Sequence, residues 1–279
     1  MPPMSGQGNQ AQENTVDWDE MAAVFDRWLP YIQPVAEALI DMASIAEGHH
    51  ILDVAAGTGE PALTLARRHG HQDISVIGVD GAEAMVTRAN TKARQAGLSC
   101  LTFQHMKAEA LDFENARFDR VISRFGVMLF DDPARGLDEM RRVLKHGGKM
   151  ALAVWGEFQN ITSLHLVWDI LTTAMPEDKR PPLPRIGSLG APGVLDTLLE
   201  EAGFENFEIT PFNVTYRFDD FESYWKISTE AGLLKDPLDT FTPSEQDALK
   251  QKVKTRTKTH CEDGVLVFQN EALLALAVK

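Results

Sequence analysis

Cysteine is scarce in this sequence. Only two occur among 279 residues, Cys100 and Cys261, and neither stands in a C-x-x-C pair or in a cysteine/histidine spacing typical of a metal site. A disulfide scaffold needs more cysteines than this. The sequence therefore predicts a protein of a reducing compartment, the cytoplasm, without a metal centre.

Long apolar runs and positive charge are also in short supply. No stretch of roughly 18 consecutive apolar residues occurs, and no basic segment followed by an apolar one stands at the N-terminus, so we expect neither a membrane span nor a secretion signal. Lys and Arg number 27 against 41 Asp and Glu, which gives a formal net charge of −14. Such a field repels a phosphate backbone, so nucleic acid is not an expected partner.

The chain divides into three parts by pattern. Residues 1–14, rich in Gly, Gln, Asn and Pro, predict a disordered tail. Residues 15–47 have apolar positions at helical spacing, with breaks expected at Pro30 and Pro34, and predict a helical lid. Residues 48–279 predict the main domain, because 44% of the chain is hydrophobic and can form a substantial core.

Within the main domain, short apolar runs alternate with helical stretches. Seven strands are predicted: HILDVA, ISVIGVD, LTF, FDRVISRF, KMALAVW, FEITPFNVTYRF and LLALAV. Strands that alternate with helices favour right-handed crossovers and a doubly wound, mostly parallel α/β sheet. Two stretches, at about 157–189 and 219–262, interrupt the rhythm and predict helical lid insertions that carry specificity.

The first predicted strand leads into a glycine-containing turn, Leu52-Asp53-Val54-Ala55-Ala56-Gly57-Thr58-Gly59. Such a turn between a strand and a helix lets a ligand approach the backbone closely, because no Cβ atom blocks it. Asp53 stands inside an apolar strand, where a carboxylate is costly unless it is used. A tight turn that binds no ligand is the alternative interpretation.

Asp80 ends the second predicted strand, about 20 residues past the glycine turn. A carboxylate at this place can accept hydrogen bonds from both hydroxyls of a ribose. Asp80 could instead cap the helix that begins near Ala82, and the two roles are compatible.

These motifs, with KAEALDF (107–113), FDRVISRFGVMLFDD (118–132) and LKHGGKM (144–150), resemble the class I S-adenosylmethionine (SAM)-dependent methyltransferases. Residues 50–155 look closest to the small-molecule branch typified by ubiquinone and menaquinone biosynthesis. The resemblance implies a Rossmann-like fold, SAM as cofactor, Asp80 on the ribose and Met85 on the adenine. The cofactor-binding residues that it implies are Asp53, Ala55, Gly57, Thr58, Gly59, Asp80, Gly81, Met85, Lys107, Ala108, Ser123 and Arg124.

Two positions depart from the usual pattern of these enzymes. Ala55 stands at the first glycine of the turn, and Met106-Lys107 stands where relatives usually have Gly-Asp. The carboxylate that usually accepts the adenine amino group is therefore missing. Glu109 and backbone carbonyls are the candidates to replace it.

Methyl transfer from a sulfonium needs mainly an acceptor held in line. A general base helps only if the acceptor has a high pKa, and His165 and His260 are the candidates, although a lone His on an amphipathic helix is more often a surface or core residue. Scattered aromatic residues favour a small, apolar or aromatic acceptor. The predicted pocket residues are Trp18, Trp28, Phe125, Trp155, His165 and Trp225.

Two other functions stay open. The segment Gly57-Thr58-Gly59-Glu60-Pro61-Ala62 satisfies the G-x-G-x-x-A pattern of nicotinamide-dependent oxidoreductases, although Asp53 stands where their strand is apolar. The Lys107 departure fits a non-catalytic protein that keeps the fold as a binding partner. The sequence leaves open the acceptor, the methylated atom (O, N, S or C), and the choice between monomer and homodimer.

Overall fold

The computed structural model describes residues 17–230 and 232–279. The tail predicted over residues 1–14 lies outside these ranges. Within the described ranges, no helix has both the length and the apolar character needed to cross a membrane.

One sheet forms the centre of the described chain. Its strands are β1 (His50–Val54), β2 (Ser75–Asp80), β3 (Leu101–His105), β4 (Phe118–Arg124), β5 (Leu144–Trp155), β6 (Asn206–Phe218), β7 (Cys261–Glu262) and β8 (Val265–Val278). The order across the sheet is β3-β2-β1-β4-β5-β8-β6, and β7 pairs with the start of β8. The seven strands predicted from the sequence are confirmed, whereas the two-residue β7 was not predicted.

The sheet reverses its winding beside β1. Strands β1 to β5 run parallel, whereas β8 runs antiparallel to both β5 and β6. Because β1 lies between β2 and β4, the chain leaves it toward both edges of the sheet, and a crevice forms outside the carboxyl ends of the strands at such a switch point. The predicted doubly wound, mostly parallel sheet is confirmed.

Helices lie between the strands and in the two predicted insertions. They are α1 (Trp18–Met21), α2 (Leu29–Ala43), α3 (Ala62–His69), α4 (Glu83–Gln95), α5 (Pro133–Val143), α6 (Thr162–Ala174), α7 (Val194–Glu201), α8 (Phe221–Thr229), α9 (Lys235–Asp239) and α10 (Pro243–Arg256). Helix α2 contacts β4, β5, β6 and α3, while α5 packs on α7 and β5. The central β1 is covered on both faces, since Ile51, Leu52 and Val54 have no solvent exposure, which is why its sequence is a nearly continuous apolar run.

The N-terminal segment is helical, as predicted, but one expected break is absent. The segment consists of α1, a 3-10 turn over Phe25–Arg27, and α2. Pro30 lies in the first turn of α2, where a missing N–H costs nothing. Pro34 lies inside α2 and does not interrupt it, although it removes one backbone hydrogen bond.

Both insertions fold against the sheet and against each other. The first contains α6, where the Ser163 N–H donates to the Asn270 side chain of β8 at 3.0 Å. The second contains α8, where the Tyr224 hydroxyl donates to the Ser163 carbonyl at 2.5 Å. The two insertions therefore share a buried hydrogen-bond network beside β8.

Candidate functional site

A cavity of about 850 Å³ opens at the carboxyl ends of β1, β2, β4 and β5. This volume lies toward the upper end of the roughly 300–1,000 Å³ typical of ligand cavities. The strand ends contribute Ala55, Gly57, Asp80, Gly81, Arg124, Phe125 and Trp155 to its wall. The rest of the wall comes from the N-terminal segment, the start of α4, residues 106–109, 126 and 128–131, α6, residues 182–186, β6, and residues 228 and 232–234.

The turn after β1 presents its backbone to this cavity. Ala55 and Gly57 both have left-handed backbone, with φ of 58° and 54°. For alanine this conformation is strained, and the Ala56 N–H holds the turn by donating to the Val79 carbonyl at 3.0 Å. The glycine-type turn therefore forms although position 55 is alanine.

The Asp80 carboxylate joins two neighbouring strand ends. Its Oδ2 accepts a hydrogen bond from the Gly57 N–H at 2.8 Å, and its Oδ1 accepts one from the Ala82 N–H at 2.9 Å. Burial raises the pKa of Asp80, although both hydrogen bonds work to lower it. Because each carboxylate oxygen has a second lone pair, Asp80 can hold the start of α4 and still accept a ligand hydroxyl.

Asp53 lies beneath the cavity wall with no solvent exposure. Its Oδ2 accepts a hydrogen bond from the Ala62 N–H at 3.1 Å, whereas its Oδ1 has no partner among the described residues. Burial raises the pKa of Asp53 to about 8, against an opposing effect of Arg124. The carboxyl group is therefore largely protonated at neutral pH in the protein alone.

One part of the cavity is apolar and covered by α1. Trp18 contacts a buried cluster that includes Ala82 and Met85. The Asp19 carboxylate accepts a hydrogen bond from the Ala84 N–H at 2.8 Å and fixes α1 on the start of α4. Trp18 thus lies beside the predicted adenine position, whereas the sequence had suggested the acceptor pocket.

Lys107, the departure from the usual Asp, lies at the cavity rim. Its Nζ lies 2.8 Å from Oδ2 of Asp131, and the two side chains are 66% and 73% exposed, so the pair contributes little to stability. Glu109 accepts a hydrogen bond from the Asp132 N–H at 3.3 Å. Both Glu109 and Ala108 belong to the cavity wall.

Another part of the wall is aromatic. Phe125 and Trp155 stack with ring centroids 4.1 Å apart and planes at 7°. Tyr216 of β6 meets Trp155 edge-on at 6.3 Å and lies 6.2 Å from Trp28. The sequence did not predict Tyr216, because only the fold brings β6 to this end of the cavity. Such a wall favours a planar, apolar ligand and excludes water.

Most predicted site residues line the cavity. These are Trp18, Trp28, Ala55, Gly57, Asp80, Gly81, Met85, Lys107, Ala108, Arg124, Phe125 and Trp155. Four others, Asp53, Thr58, Gly59 and Ser123, are buried behind the wall. At Gly59 a Cβ atom would come within 2.7 Å of Leu63, so this glycine serves close packing of the turn.

The two candidate bases, His165 and His260, and the predicted pocket residue Trp225 lie away from this cavity. His165 meets the edge of Phe158 at 5.7 Å, and His260 stacks on Phe268 at 4.8 Å. Trp225 stacks on another ring of α8. None of the three lines the cavity. Each packs on an aromatic neighbour, which is the ordinary packing role of a ring on an amphipathic element.

Asp26, which was not predicted from the sequence, connects the N-terminal segment to the site. Its carboxylate accepts hydrogen bonds from Thr58 Oγ1 at 2.6 Å, Lys92 Nζ at 2.6 Å and Arg88 Nε at 3.0 Å. Burial works to raise the pKa of Asp26, but the three hydrogen bonds outweigh it and lower that pKa. Asp26 thus links the predicted lid to the glycine turn and to α4.

Comparisons with known proteins match mainly the segment from β1 to β5, which contributes much of the cavity wall. Residues 51–148 match a family model described as a methyltransferase domain. An uncharacterized protein of Mycobacterium tuberculosis is 36% identical over 122 residues, which cover 44% of this chain and 43% of that protein. A ubiquinone/menaquinone biosynthesis C-methyltransferase of Geobacter sulfurreducens is 38% identical over 108 residues, which cover 38% of this chain and 42% of that protein. The matches thus span less than half the length of these relatives.

The fold is shared more widely than the sequence. The crystal structure of a putative methyltransferase from Bacillus halodurans superposes with a TM-score of 0.59 over 88% of this chain and 98% of that one, at 21% identity. Residues 51–148 thus match a methyltransferase domain, and the fold of the described chain is shared with this structure. The relatives over this segment include the C-methyltransferase of Geobacter sulfurreducens and a demethylmenaquinone methyltransferase of Bacteroides fragilis, in agreement with the resemblance noted in the sequence.

Proposed function

We propose that this protein transfers a methyl group from SAM to a small, apolar or aromatic acceptor. The observation that carries the proposal is the Asp80 carboxylate, which faces the cavity between the glycine turn and α4. The methyltransferase domain over residues 51–148 supports the reaction class.

The residues present fit this cofactor. Asp80 would accept the ribose hydroxyls, and the left-handed backbone at Ala55 and Gly57 allows close approach of the methionine end. Oδ1 of Asp53, buried without a partner among the described residues, is a polar atom beneath that end that a ligand group can hydrogen-bond. Met85, close to Trp18, offers apolar surface to the adenine. When bound, SAM supplies a methyl group on an electrophilic sulfonium.

The protein's own task is then to hold an acceptor in line and keep water away. The aromatic wall of Phe125, Trp155 and Tyr216 is suited to a planar acceptor. Segments 15–47, 157–189 and 219–262 are proposed as lids, because residues from each, such as Trp28, Trp168 and Leu234, line the cavity. No histidine among the described residues lines it, so the arrangement suits an acceptor that needs no histidine base.

Substitution of Asp80 tests the cofactor site. Two charge-assisted hydrogen bonds to a ribose diol are together worth about 2–4 kcal/mol, so Asp80→Ala should weaken the binding of SAM and S-adenosylhomocysteine by about 30-fold or more. Asp80→Asn, which keeps one acceptor oxygen, should lie between this variant and the wild type. Isothermal titration calorimetry measures both affinities.

The matched control is Asp131→Asn, which removes the same charge from the cavity rim, where Asp131 pairs with exposed Lys107. Its affinity should stay within about threefold of the wild type, since exposed pairs contribute little. Equal affinities of wild type and a folded Asp80→Ala variant would refute the ribose assignment.

Turnover is tested with SAM carrying a labelled methyl group, offered with phenols, quinols, thiols and amines. Transfer of label to one class identifies the acceptor. SAM binding without transfer to any class would favour a non-catalytic binding protein. Co-purification of a nicotinamide dinucleotide in place of SAM would favour the oxidoreductase.

A further inference from the structure

The end of β4 places a charged side chain in the wall of the cavity. Arg124 is 6% exposed and lines the cavity next to Phe125. Its Nε and Nη1 atoms are buried and have no hydrogen-bond partner among the described residues. A buried guanidinium without partners is expensive, so its presence points to a ligand that supplies them.

The groups that face Arg124 do not neutralise it. Burial lowers the pKa of Arg124 to about 10, so the guanidinium is protonated at neutral pH. Asp53 is the nearby acid with the strongest effect on this pKa, but its Oδ2 accepts a hydrogen bond from the Ala62 N–H and its Oδ1 makes no hydrogen bond to Arg124. Glu60 is engaged elsewhere, with Arg67 and the Thr64 N–H.

Tyr216 lies in the same part of the cavity. Its side chain is 2% exposed, and burial raises its pKa, so its hydroxyl stays protonated and can donate a hydrogen bond. Tyr216 and Arg124 both line the cavity, and Tyr216 meets edge-on the Trp155 ring that stacks on Phe125, the residue next to Arg124. Phe125 and Trp155 stack beside them. Positive charge, a donor hydroxyl and flat rings thus meet in one place.

We propose that Arg124, assisted by Tyr216, binds the methyl acceptor through an oxyanion, so that the acceptors are aromatic or enolic ring hydroxyl compounds taken up in ionised form. This proposal rests on the proposed function, because it takes the bound compound to be the methyl acceptor. The proton of the ring hydroxyl passes to bulk water before or during binding. In this proposal Arg124 binds the substrate and not the cofactor. A guanidinium would repel the positively charged sulfonium of SAM.

The probe is 4-nitrophenol, whose ionised and neutral forms absorb at different wavelengths. Bound to the wild type, it should titrate at least one pKa unit below its free value, because the guanidinium stabilises the phenolate. Arg124→Met, similar in volume but neutral, should abolish this shift and weaken phenolate binding by about tenfold or more. Nitrobenzene, a neutral ring of similar shape, should bind both proteins within about threefold.

Further variants separate charge from packing. Arg124→Lys keeps the charge and should retain part of the shift, while Tyr216→Phe should lose a smaller part of it. An unshifted titration of 4-nitrophenol on the wild type would overturn the proposal even if Arg124→Met failed to fold.

Binding of S-adenosylhomocysteine distinguishes the two proposals. Arg124→Met should bind it within about threefold of the wild type. A loss of tenfold or more, with the nitrophenol titration unchanged, would assign Arg124 to the cofactor carboxylate and overturn the inference. If the wild type binds no S-adenosylhomocysteine, the methyltransferase proposal fails, while the nitrophenol titration still decides whether the oxyanion site exists.

Discussion

At the scale of single residues, the cavity is built on backbone that side chains usually avoid. Ala55 and Phe125 both line the cavity with φ of 58°. Each such residue costs of order 1–3 kcal/mol and persists only where its surroundings fix it. At Gly126 a Cβ atom would come within 2.5 Å of the Ala55 side chain, so the ends of β1 and β4 approach each other closely. Two of the six non-glycine residues with positive φ in the described ranges thus line the cavity.

Gly57→Val should abolish SAM binding while leaving a folded protein. The valine methyl groups would push Phe25, which lines the cavity, toward the space the ligand needs, and left-handed backbone costs a β-branched residue about 1–2 kcal/mol. Gly97→Val is the matched control: Gly97 also has a positive φ, 66°, but nothing lies within 4 Å of the added Cβ. Both variants should lose similar stability in thermal melts, and only Gly57→Val should lose binding in calorimetry. Normal binding by Gly57→Val would mean that the glycine serves the turn alone.

The buried carboxyl of Asp53 should leave a signature in the pH dependence of stability. Its pKa is raised to about 8 in the folded protein, so the folded state binds a proton that the unfolded state has released above about pH 4. The free energy of unfolding should therefore fall as pH rises from about 4 to about 8. Asp53→Asn should remove this contribution, and urea unfolding of both proteins at several pH values measures it. A difference between them that does not vary with pH would show that Asp53 is ionised throughout.

At the scale of elements, the N-terminal segment is attached to the site by few contacts with specific partners. Asp26 connects it to Thr58, Arg88 and Lys92. The Phe25 ring lies beside the glycine turn, since a Cβ atom added at Gly57 would be 3.5 Å from it. These attachments reach the glycine turn and α4, which also carry the proposed cofactor contacts. Movement of this segment is therefore coupled to the shape of the cofactor site.

Asp26→Asn should loosen this attachment. Replacing charged hydrogen bonds in a partly exposed cluster should lower the free energy of unfolding by about 1–2 kcal/mol at neutral pH. Because the folded pKa of Asp26 is lowered, its contribution is present above the unfolded pKa of about 4 and is lost as pH falls through the folded value. The control is Asp41→Asn, whose partner is the exposed Arg68 and which should change stability by less than about 0.5 kcal/mol. Equal effects of the two substitutions in urea unfolding would show that Asp26 is no anchor.

The elements themselves were readable from the sequence because their signals are local. Hydrophobic periodicity, together with the turn residues between apolar runs, located all seven main strands. The segment from Asp53 to Asp80 was predicted to hold the cofactor. The aromatic wall was only partly predictable, since Phe125 and Trp155 were predicted to line a pocket and Tyr216 was not. Tyr216 reaches the cavity through the pairing of β6 with β8, a long-range contact that leaves no local pattern. His165 and Trp225 were predicted to line a pocket but do not line this cavity. Helical spacing does not reveal which neighbour a helix face contacts.

At the scale of the whole molecule, the cavity is closed by segments far apart in the chain. The N-terminal segment, residues 182–186 and residues 232–234 all contribute to its wall. Elements that open to admit a ligand belong to the less stable parts of a structure.

Hydrogen exchange should therefore show ligand-dependent protection in residues 17–28, 182–186 and 232–234. Backbone amides there should exchange about tenfold more slowly with S-adenosylhomocysteine and a bound acceptor than in the free protein. The buried strand β4 serves as the internal reference, since its exchange should hardly change. Uniform exchange with and without ligands, in a protein that turns over, would place the acceptor site elsewhere.

The position of β8 has a consequence for biosynthesis. This strand lies between β5 and β6 in the sheet, although both precede it in the chain. A nascent chain can assemble β1 to β5, with Asp80 and the glycine turn, before β6 has a neighbour to pair with. Tyr216 joins the aromatic wall only once β8 has inserted. During translation, the capacity to hold a nucleoside should thus arise earlier than the chamber in which an acceptor is enclosed.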